Sequence, residues 1–144
     1  MINTIIFDID NILIDTNGWH NQALALAYHS VYDHVYELEL EESWTTTQKL
    51  NHLHKYGFGS FQDDDVVRFY KDFHFQELLR NKLRYDREKI AMLSYLAEQG
   101  YRVGCVTNNN RDITNVLLNW SGTGEFMDAV VTATDVVYAK PSPE

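Results

Sequence analysis

The stretch Thr4-Ile5-Ile6-Phe7-Asp8-Ile9-Asp10 (TIIFDID, residues 4–10) places two acidic residues directly behind a short apolar run. The run is rich in β-branched and aromatic side chains and has no polar alternation. This pattern is typical of a strand buried on both faces of a parallel sheet. In open parallel sheets, ligands bind beyond the carboxyl ends of the strands. The stretch therefore predicts an α/β fold with Asp8 and Asp10 at its ligand-binding edge.

The second half of the chain alternates between helical and strand patterns. "DREKIAMLSYLAEQG" (residues 86–100) predicts a helix with Asp86 as N-cap, a buried stripe of Ile90, Leu93 and Leu96, and Gly100 at its end. A strand "YRVGCV" (101–106), a helix "RDITNVLLNW" (111–120) and a strand "DAVVTA" (128–133) follow. Alternation of this kind indicates a parallel sheet with helical crossovers.

The segment between the first strand and that region is far longer than a crossover requires, and it has helical spacing. We therefore expect residues 15–83 to form an inserted α-helical cap, and residues 1–14 and 84–144 to form the sheet core. Val66, Phe69, Tyr70 and Phe73 are expected to form one buried face of a cap helix. Most aromatic residues of this segment are likewise expected in the cap core: Trp19, Trp44, Tyr56, Phe58, Phe69, Tyr70, Phe73 and Phe75.

Polar residues follow each predicted strand. Asp8 and Asp10 follow the first strand, Thr107 and Asn108 the second, and Lys140 lies in the segment after the third. Because the carboxyl ends of parallel strands meet at one edge, two carboxylates, a hydroxyl, an amide and an ammonium should converge there.

This set of groups fits phosphoryl transfer through a covalent carboxyl phosphate. Asp8 is the expected nucleophile, and Asp10 the acid that protonates the leaving alcohol and the base that later activates water. Thr107 and Asn108 are expected to donate hydrogen bonds to the phosphoryl oxygens, and Lys140 to offset the negative charge. The chemistry predicts Mg²⁺ as cofactor, with Asp8 and Asp10 as metal ligands, because an anionic carboxylate must attack an anionic phosphate.

Three motifs in this order resemble the haloacid dehalogenase (HAD) superfamily, and in particular its phosphoglycolate-phosphatase-like branch. The motifs are "IIFDIDNILIDT" (5–16), "VGCVTNNN" (103–110) and "YAKPSPE" (138–144). The resemblance implies a three-layer, parallel-sheet, Rossmann-like core with an inserted helical cap. It also implies a Mg²⁺-dependent phosphatase that acts on a small phosphorylated metabolite through an aspartyl-phosphate, with a substrate chosen by the cap.

The sequence departs from the family pattern at two places. Asn11-Ile12 stands where members often have Gly-Thr or Asn-Thr, and asparagine tolerates the left-handed backbone that glycine would adopt there. The family's fourth motif, which supplies further acidic metal ligands on another strand, would follow Glu144. We therefore expect the chain to be the N-terminal portion of a phosphatase-like protein, whose core lacks its C-terminal strands and whose strand at residues 4–7 is an uncovered edge. Because metal ligands are missing and Lys140 lies near a frayed end, we expect the chain by itself to be weakly active or inactive.

The composition of the chain restricts the kinds of partner that we expect it to bind. The chain has 12 basic and 21 acidic residues, a net charge of −9, which argues against nucleic acid and against an anionic membrane surface. No apolar run has the length of a membrane span, the start does not resemble a signal peptide, and Cys105 is the single cysteine, so a cytoplasmic protein is expected.

The six histidines form no convincing pair and are interpreted as structural or solvated: His20, His29, His34, His52, His54 and His74.

Two other functions remain open on the sequence alone. The chain could be a non-catalytic protein that binds a partner or a second copy through the exposed edge of the first strand. It could also be a receiver-like phosphoacceptor, but that fold gathers its acids from the first and third strands and has no large helical insertion. The end of the third strand offers only Asp135, which lies too close to Lys140 in sequence to match.

Overall fold

A computed structural model describes residues 1–144 and contains a three-stranded parallel sheet in the order β1-β2-β3. The strands are β1 (Thr4–Phe7), β2 (Arg102–Val106) and β3 (Ala129–Val131). In the register, Phe7 lies opposite Cys105, and Cys105 lies opposite Val130. The predicted α/β fold with a parallel sheet is therefore confirmed.

The chain forms two compact units. The first consists of Met1–Asp15 and Lys82–Glu144, and the second of Thr16–Asn81. That the second unit acts as a cap stays a prediction. The helices are α1 (Trp19–Tyr32), α2 (Thr46–Lys55), α3 (Asp64–Lys82), α4 (Arg87–Glu98) and α5 (Arg111–Ser121), with short 3₁₀ turns at Phe61–Asp63 and Gly124–Phe126.

Strand β1 is less buried than its apolar sequence predicts. Ile6 is 65% exposed, and Ile5 and Phe7 are only partly buried. β1 pairs with β2 alone, so it lies at an edge of the sheet, as expected, with no strand on its other side. The prediction of burial on both faces is wrong, because an outer strand lacks the neighbour whose side chains would cover it. The central strand has that protection: Val103 and Cys105 are each 1% exposed.

The helices of the sheet unit begin at side-chain caps. Asp86 accepts hydrogen bonds from the backbone N–H groups of Glu88 and Lys89 at the start of α4, and Asn110 accepts one from Ile113 at the start of α5. Of the predicted α4 stripe, Leu93 is fully buried, whereas Ile90 and Leu96 are only partly buried. These caps stabilise the starts of α4 and α5, the helices that connect the parallel strands.

The helical unit has its own apolar core, contributed by α1, α2, α3 and the segment between α1 and α2. Thr45 and Gln48 form a reciprocal capping box at the start of α2, and Gly57, with φ 83°, follows the end of that helix. The buried core residues are Leu24, Ala27, Tyr28, Tyr36, Leu40, Leu50, Leu53 and Val67.

The expected buried face of α3 is wrong. Val66, Phe69 and Phe73 are 47%, 68% and 52% exposed, and only Tyr70 packs partly against the core. Apolar residues surround most of this helix, so its periodicity fits more than one buried face, and packing selects a different one. Tyr56, also expected in the core, is 56% exposed. The residues of α3 that the structure buries are Val67, Lys71, Phe75, Leu78 and Leu79.

None of the helices is long and apolar enough to cross a lipid bilayer.

Candidate active site

The five predicted site residues lie in the sheet unit, in the loops that follow the carboxyl ends of its strands. Asp8 follows β1 directly, and Thr107 and Asn108 follow β2. Lys140 lies in the long segment after β3 and returns to the same edge. Because β1, β2 and β3 are parallel, all these loops emerge on one side of the sheet.

Asp8 and Lys140 form an ion pair, with 2.9 Å between Lys140 Nζ and Asp8 Oδ2. The other carboxylate oxygen, Asp8 Oδ1, accepts a hydrogen bond of 2.8 Å from the backbone N–H of Ile9. The two side chains are 45% and 34% exposed, so solvent and small molecules reach them. The arrangement fixes the orientation of an accessible carboxylate and keeps a positive charge beside it.

Two further contacts hold Lys140 in place. Its Nζ donates a hydrogen bond of 3.1 Å to the carbonyl of Val106, and its backbone N–H donates one of 2.9 Å to Asn108 Oδ1. The Asn108 side chain therefore ties the loop after β2 to the loop that carries the lysine. Only the Nδ2 group of Asn108 can donate a hydrogen bond to a phosphoryl oxygen, because an amide oxygen is an acceptor. That role of Asn108 stays a prediction.

Asp10 lies in a tight turn behind β1. The carbonyl of Ile9 accepts backbone hydrogen bonds from residues 12–14, and Asn11 has φ 60°, the left-handed conformation that the sequence allows for. The Asp10 carboxylate accepts a hydrogen bond of 2.7 Å from Asn109 Nδ2. The turn thus presents Asp10 at the edge that also carries Asp8, two residues earlier.

The contact from Asn109 to Asp10 was missed by the sequence reasoning, which singled out Thr107 and Asn108. The available signal was the run of three asparagines after β2, but the run does not say which amide faces which carboxylate. Thr107 is buried, and its hydroxyl oxygen accepts a hydrogen bond of 3.2 Å from the backbone N–H of Asn109. That bond leaves the hydroxyl hydrogen of Thr107 available for donation.

A second ion pair, between Arg111 and Asp135, joins the loops after β2 and β3. Asp135 Oδ2 also accepts hydrogen bonds of 2.8 Å from both the backbone N–H and the hydroxyl of Thr132. The Arg111 guanidinium, and then these hydrogen bonds, hold the pKa of the Asp135 carboxyl well below its usual range. The same loops share a hydrogen bond of 2.9 Å from the Ala133 N–H to the Asn109 carbonyl. The Arg111–Asp135 ion pair, which we call the clamp, thereby supports the turn that carries Asn109.

Cys105 lies on β2 and is 1% exposed, as expected for a small buried apolar residue. Burial raises the pKa of its thiol to about 11, and the negative charge of Asp8 adds to this effect while Lys140 partly offsets it. A neutral, inaccessible thiol is a poor nucleophile.

Asp8 and Asp10 offer the kind of donors that Mg²⁺ requires. In residues 1–144, no group of three or more His, Cys, Asp and Glu side chains is arranged so that it could hold a metal ion. Mg²⁺ usually binds through one or two carboxylates and completes its shell with water and substrate phosphate. The oxygen donors of Asp8 and Asp10 therefore fit this ion in their chemistry.

The parallel sheet and the carboxylate–lysine pair at its carboxyl edge define an α/β protein with an accessible polar site at that edge. Residues 5–144 match the model of the haloacid dehalogenase-like hydrolase family. The chain belongs to that family.

Individual relatives agree with this assignment. The chain is 30% identical, over 146 residues, to the pyrophosphatase PpaX of Bacillus velezensis, with 99% of this chain and 65% of that protein covered. It superposes on CbbY of Rhodobacter sphaeroides, solved in complex with phosphate, with a TM-score of 0.80 at 16% identity, covering 99% and 68%. The structure of a predicted phosphoglycolate phosphatase of Haemophilus somnus gives 0.79 at 17% identity, covering 99% and 67%. The chain thus spans about two thirds of the length of the relatives that it matches.

Proposed function

We propose that the chain carries the catalytic residues of a Mg²⁺-dependent phosphatase that hydrolyses a small phosphorylated substrate through an aspartyl-phosphate. The observation that carries the proposal is the ion pair of 2.9 Å between Lys140 Nζ and Asp8 Oδ2 at the carboxyl edge of the sheet. A held, accessible carboxylate is a nucleophile, and a neighbouring ammonium stabilises the negative charge of a phosphoryl group.

In the first step, an Asp8 carboxylate oxygen forms a bond to phosphorus and the bond from phosphorus to the leaving oxygen breaks. The electron pair stays on the leaving oxygen, which takes a proton from the Asp10 carboxyl. In the second step, Asp10 accepts a proton from water while the water oxygen bonds to phosphorus. The bond from Asp8 to phosphorus then breaks, and the site returns to its starting state with release of phosphate.

The other side chains hold these two carboxylates and the transferred group. Asn109 orients Asp10 through a hydrogen bond of 2.7 Å, and Asn108 holds the Lys140 backbone through one of 2.9 Å. We assign the Thr107 hydroxyl and the Asn108 amide as donors to the phosphoryl oxygens. Asp8 and Asp10 would hold the Mg²⁺, which, when bound, supplies positive charge against the phosphate.

The substrate class is a phosphate ester or a phosphoanhydride of a small molecule. Two observations support this class: the site pairs the Asp8 carboxylate with the Lys140 ammonium, and the relative from Bacillus velezensis is named a pyrophosphatase. Inorganic pyrophosphate is therefore the first phosphoanhydride to test. We also propose a cytoplasmic location, from the single, buried cysteine and the acidic composition.

The test compares initial rates of hydrolysis of an aryl phosphate and of inorganic pyrophosphate, with Mg²⁺ and with a chelator. The variant is Asp8→Asn, and the matched control is Asp33→Asn, whose side chain is almost fully exposed in the helical unit. We expect weak, Mg²⁺-dependent turnover that Asp8→Asn abolishes and Asp33→Asn preserves. Turnover that survives Asp8→Asn would exclude Asp8 as the nucleophile.

A second candidate function, binding of a partner strand, has support in the exposed edge of β1. Ile6 is 65% exposed, and the strand has a hydrogen-bonding edge that no other strand occupies. Such an edge can accept a strand from another chain or from a second copy. A stable dimer without turnover, dissociated by Ile6→Lys, would favour this function over catalysis.

A further inference from the structure

The segment that carries Lys140, residues 133–144, contains no buried side chain, and we call it the lysine loop. Thr132, directly before it, is the last buried residue of the chain. Within the loop, Val137 and Tyr138 are 79% and 70% exposed. Because apolar packing contributes so little to this loop, its hydrogen bonds and ion pairs decide where Lys140 lies.

The contacts from the rest of the sheet unit act on Lys140 itself. Its Nζ lies 2.9 Å from Asp8 Oδ2 and donates a hydrogen bond of 3.1 Å to the carbonyl of Val106, and its backbone N–H donates to Asn108. These contacts hold one residue of the loop. They do not fix the backbone on either side of it.

The backbone on both sides of Lys140 is held by Glu144. The Glu144 carboxylate accepts a hydrogen bond of 3.0 Å from the backbone N–H of Tyr138, and the N–H of Val137 lies 3.1 Å and 3.2 Å from its two oxygens. Hydrogen bonds to an ionised acceptor are stronger than those between neutral groups. Glu144 thus joins the chain ahead of Lys140 to the chain behind it.

A second, smaller closure lies inside this one. The backbone N–H of Ser142 donates a hydrogen bond of 3.1 Å to the carbonyl of Ala139, so Lys140 lies within a tight turn. The backbone N–H of Glu144 donates one of 3.3 Å to Ser142 Oγ. Closing a short loop removes many of the conformations that its residues would otherwise adopt. The outer closure depends on a single side chain, that of Glu144.

We propose that Glu144 is a positioning residue for Lys140. Without its carboxylate, the N–H groups of Val137 and Tyr138 turn to water and the lysine loop gains conformations. The partly exposed ion pair with Asp8 is too weak to compensate, so the ammonium spends less time beside that carboxylate. Glu144 acts through Lys140 and needs no contact with substrate. The effect on turnover, though not the effect on the loop, rests on the proposed function.

The first test is independent of activity and uses NMR of the native chain. Glu144→Ala should lower the heteronuclear ¹⁵N NOE of the Lys140 backbone N–H. It should also speed hydrogen exchange of the Val137 and Tyr138 amides by about tenfold, the effect of losing one hydrogen bond. Glu144→Gln retains one acceptor oxygen and should give intermediate values.

Glu125→Ala is the matched control for this test. Glu125 is an exposed acid of the same unit, in the 3₁₀ turn after α5, and its loss should leave the lysine loop unchanged. An unchanged NOE at Lys140 in the Glu144→Ala variant would overturn the proposal, whether or not the chain is active.

The second test measures hydrolysis of an aryl phosphate in the presence of Mg²⁺. Glu144→Ala should lower kcat by about tenfold at constant KM, because a smaller fraction of the molecules has the ammonium in place. Glu144→Gln should restore part of the loss, and Glu125→Ala should keep the original rate. A rise in KM at constant kcat would overturn the positioning role. If the unmodified chain has no turnover, the proposed function fails, and the NMR test alone decides whether Glu144 positions Lys140.

Discussion

Lys140 Nζ lies 2.9 Å from Asp8 Oδ2, although the two residues come from opposite ends of the chain. The carbonyl of Val106, at the end of β2, and the side chain of Asn108, in the loop after β2, hold the lysine at this position. The ion pair is partly exposed, so it contributes little to folding stability. We propose that its role is instead to place a cation beside the nucleophile and the phosphoryl group that this nucleophile receives.

Replacement of this lysine should remove activity without unfolding the protein. Lys140→Met is expected to lower kcat by roughly 100- to 1,000-fold, the range found when one electrostatic stabiliser is removed. Steady-state hydrolysis of an aryl phosphate measures the loss. Lys55→Met, which removes an exposed lysine of α2, should keep the original rate. Equal rates for the Lys140→Met variant and the unmodified chain would show that the ammonium has no catalytic part.

Asn109→Ala should impair the positioning of Asp10. The substitution removes the amide that donates a hydrogen bond of 2.7 Å to the Asp10 carboxylate. We expect kcat to fall by about 10- to 100-fold while KM changes little, because a misplaced catalytic group affects the transition state more than binding. Asn115→Ala, at an exposed position of α5, is the control. A rise in KM at constant kcat would instead mean that Asn109 binds substrate.

The clamp between Arg111 and Asp135 should make folding stability depend on pH. The pKa of Asp135 is lowered in the folded state, so its stabilising effect is complete above the ordinary value of 3.8 and is lost as the pH falls below it. The midpoint of urea unfolding should therefore be higher for the unmodified chain than for Asp135→Asn at pH 7. As the pH falls below 3.8, the two midpoints should progressively converge.

A double-mutant cycle identifies the partner that causes this effect. Arg111→Gln should lower the pH 7 midpoint in the same direction, and the double variant should lose less than the sum of the single losses. High salt should shrink the coupling, because both side chains are partly exposed. Additive losses would show that Asp135 acts through the Thr132 hydrogen bonds alone.

Leu53→Ala should destabilise the helical unit. Leu53 is fully buried in the core that α1, α2 and α3 share, so its truncation leaves a cavity. We expect a loss of about 2–5 kcal/mol in the free energy of unfolding, followed by circular dichroism in urea. Leu26→Ala, at a position of α1 that is 40% exposed, should cost less than about 1 kcal/mol. Similar losses for both would contradict the packing described for this core.

Cys105 should resist thiol reagents in the native state. Its thiol is buried on β2, and burial raises its pKa to about 11, so little thiolate forms at pH 8 and reagents cannot reach it. Labelling with a chromogenic disulfide should be slow in buffer and rapid in denaturant. Rapid labelling of the folded chain would mean that β2 opens readily, and mass spectrometry of the labelled protein would show it.

The parallel sheet could be predicted from the sequence because each strand has a clear local pattern of residues. The informative patterns are a short apolar run followed at once by acids, and later strands that alternate with capped helices such as the one that begins after Asp86. These patterns can be recognised without knowledge of distant contacts. The same order of elements brought Asp8 and Lys140 to one edge, because parallel strands end on the same side. The catalytic roles of these residues are still predictions.

The sequence failed where several faces or partners were equally compatible with the pattern. Helix α3 carries apolar residues around most of its circumference, so periodicity could not distinguish the buried Phe75 from the exposed Phe69. The burial of β1 was also misjudged, because apolar composition does not reveal an edge position. The run of asparagines after β2 could not assign Asn109 to Asp10, since that contact depends on the turn around Asn11.

By itself, the sequence determined the order and type of the elements and the chemical groups at the strand ends, because these follow from residues close together in the chain. Only the tertiary structure decided which face of α3 is buried and which asparagine bonds Asp10. Those outcomes depend on packing between distant segments, in which the free energies of alternative contacts differ by amounts that no local pattern encodes.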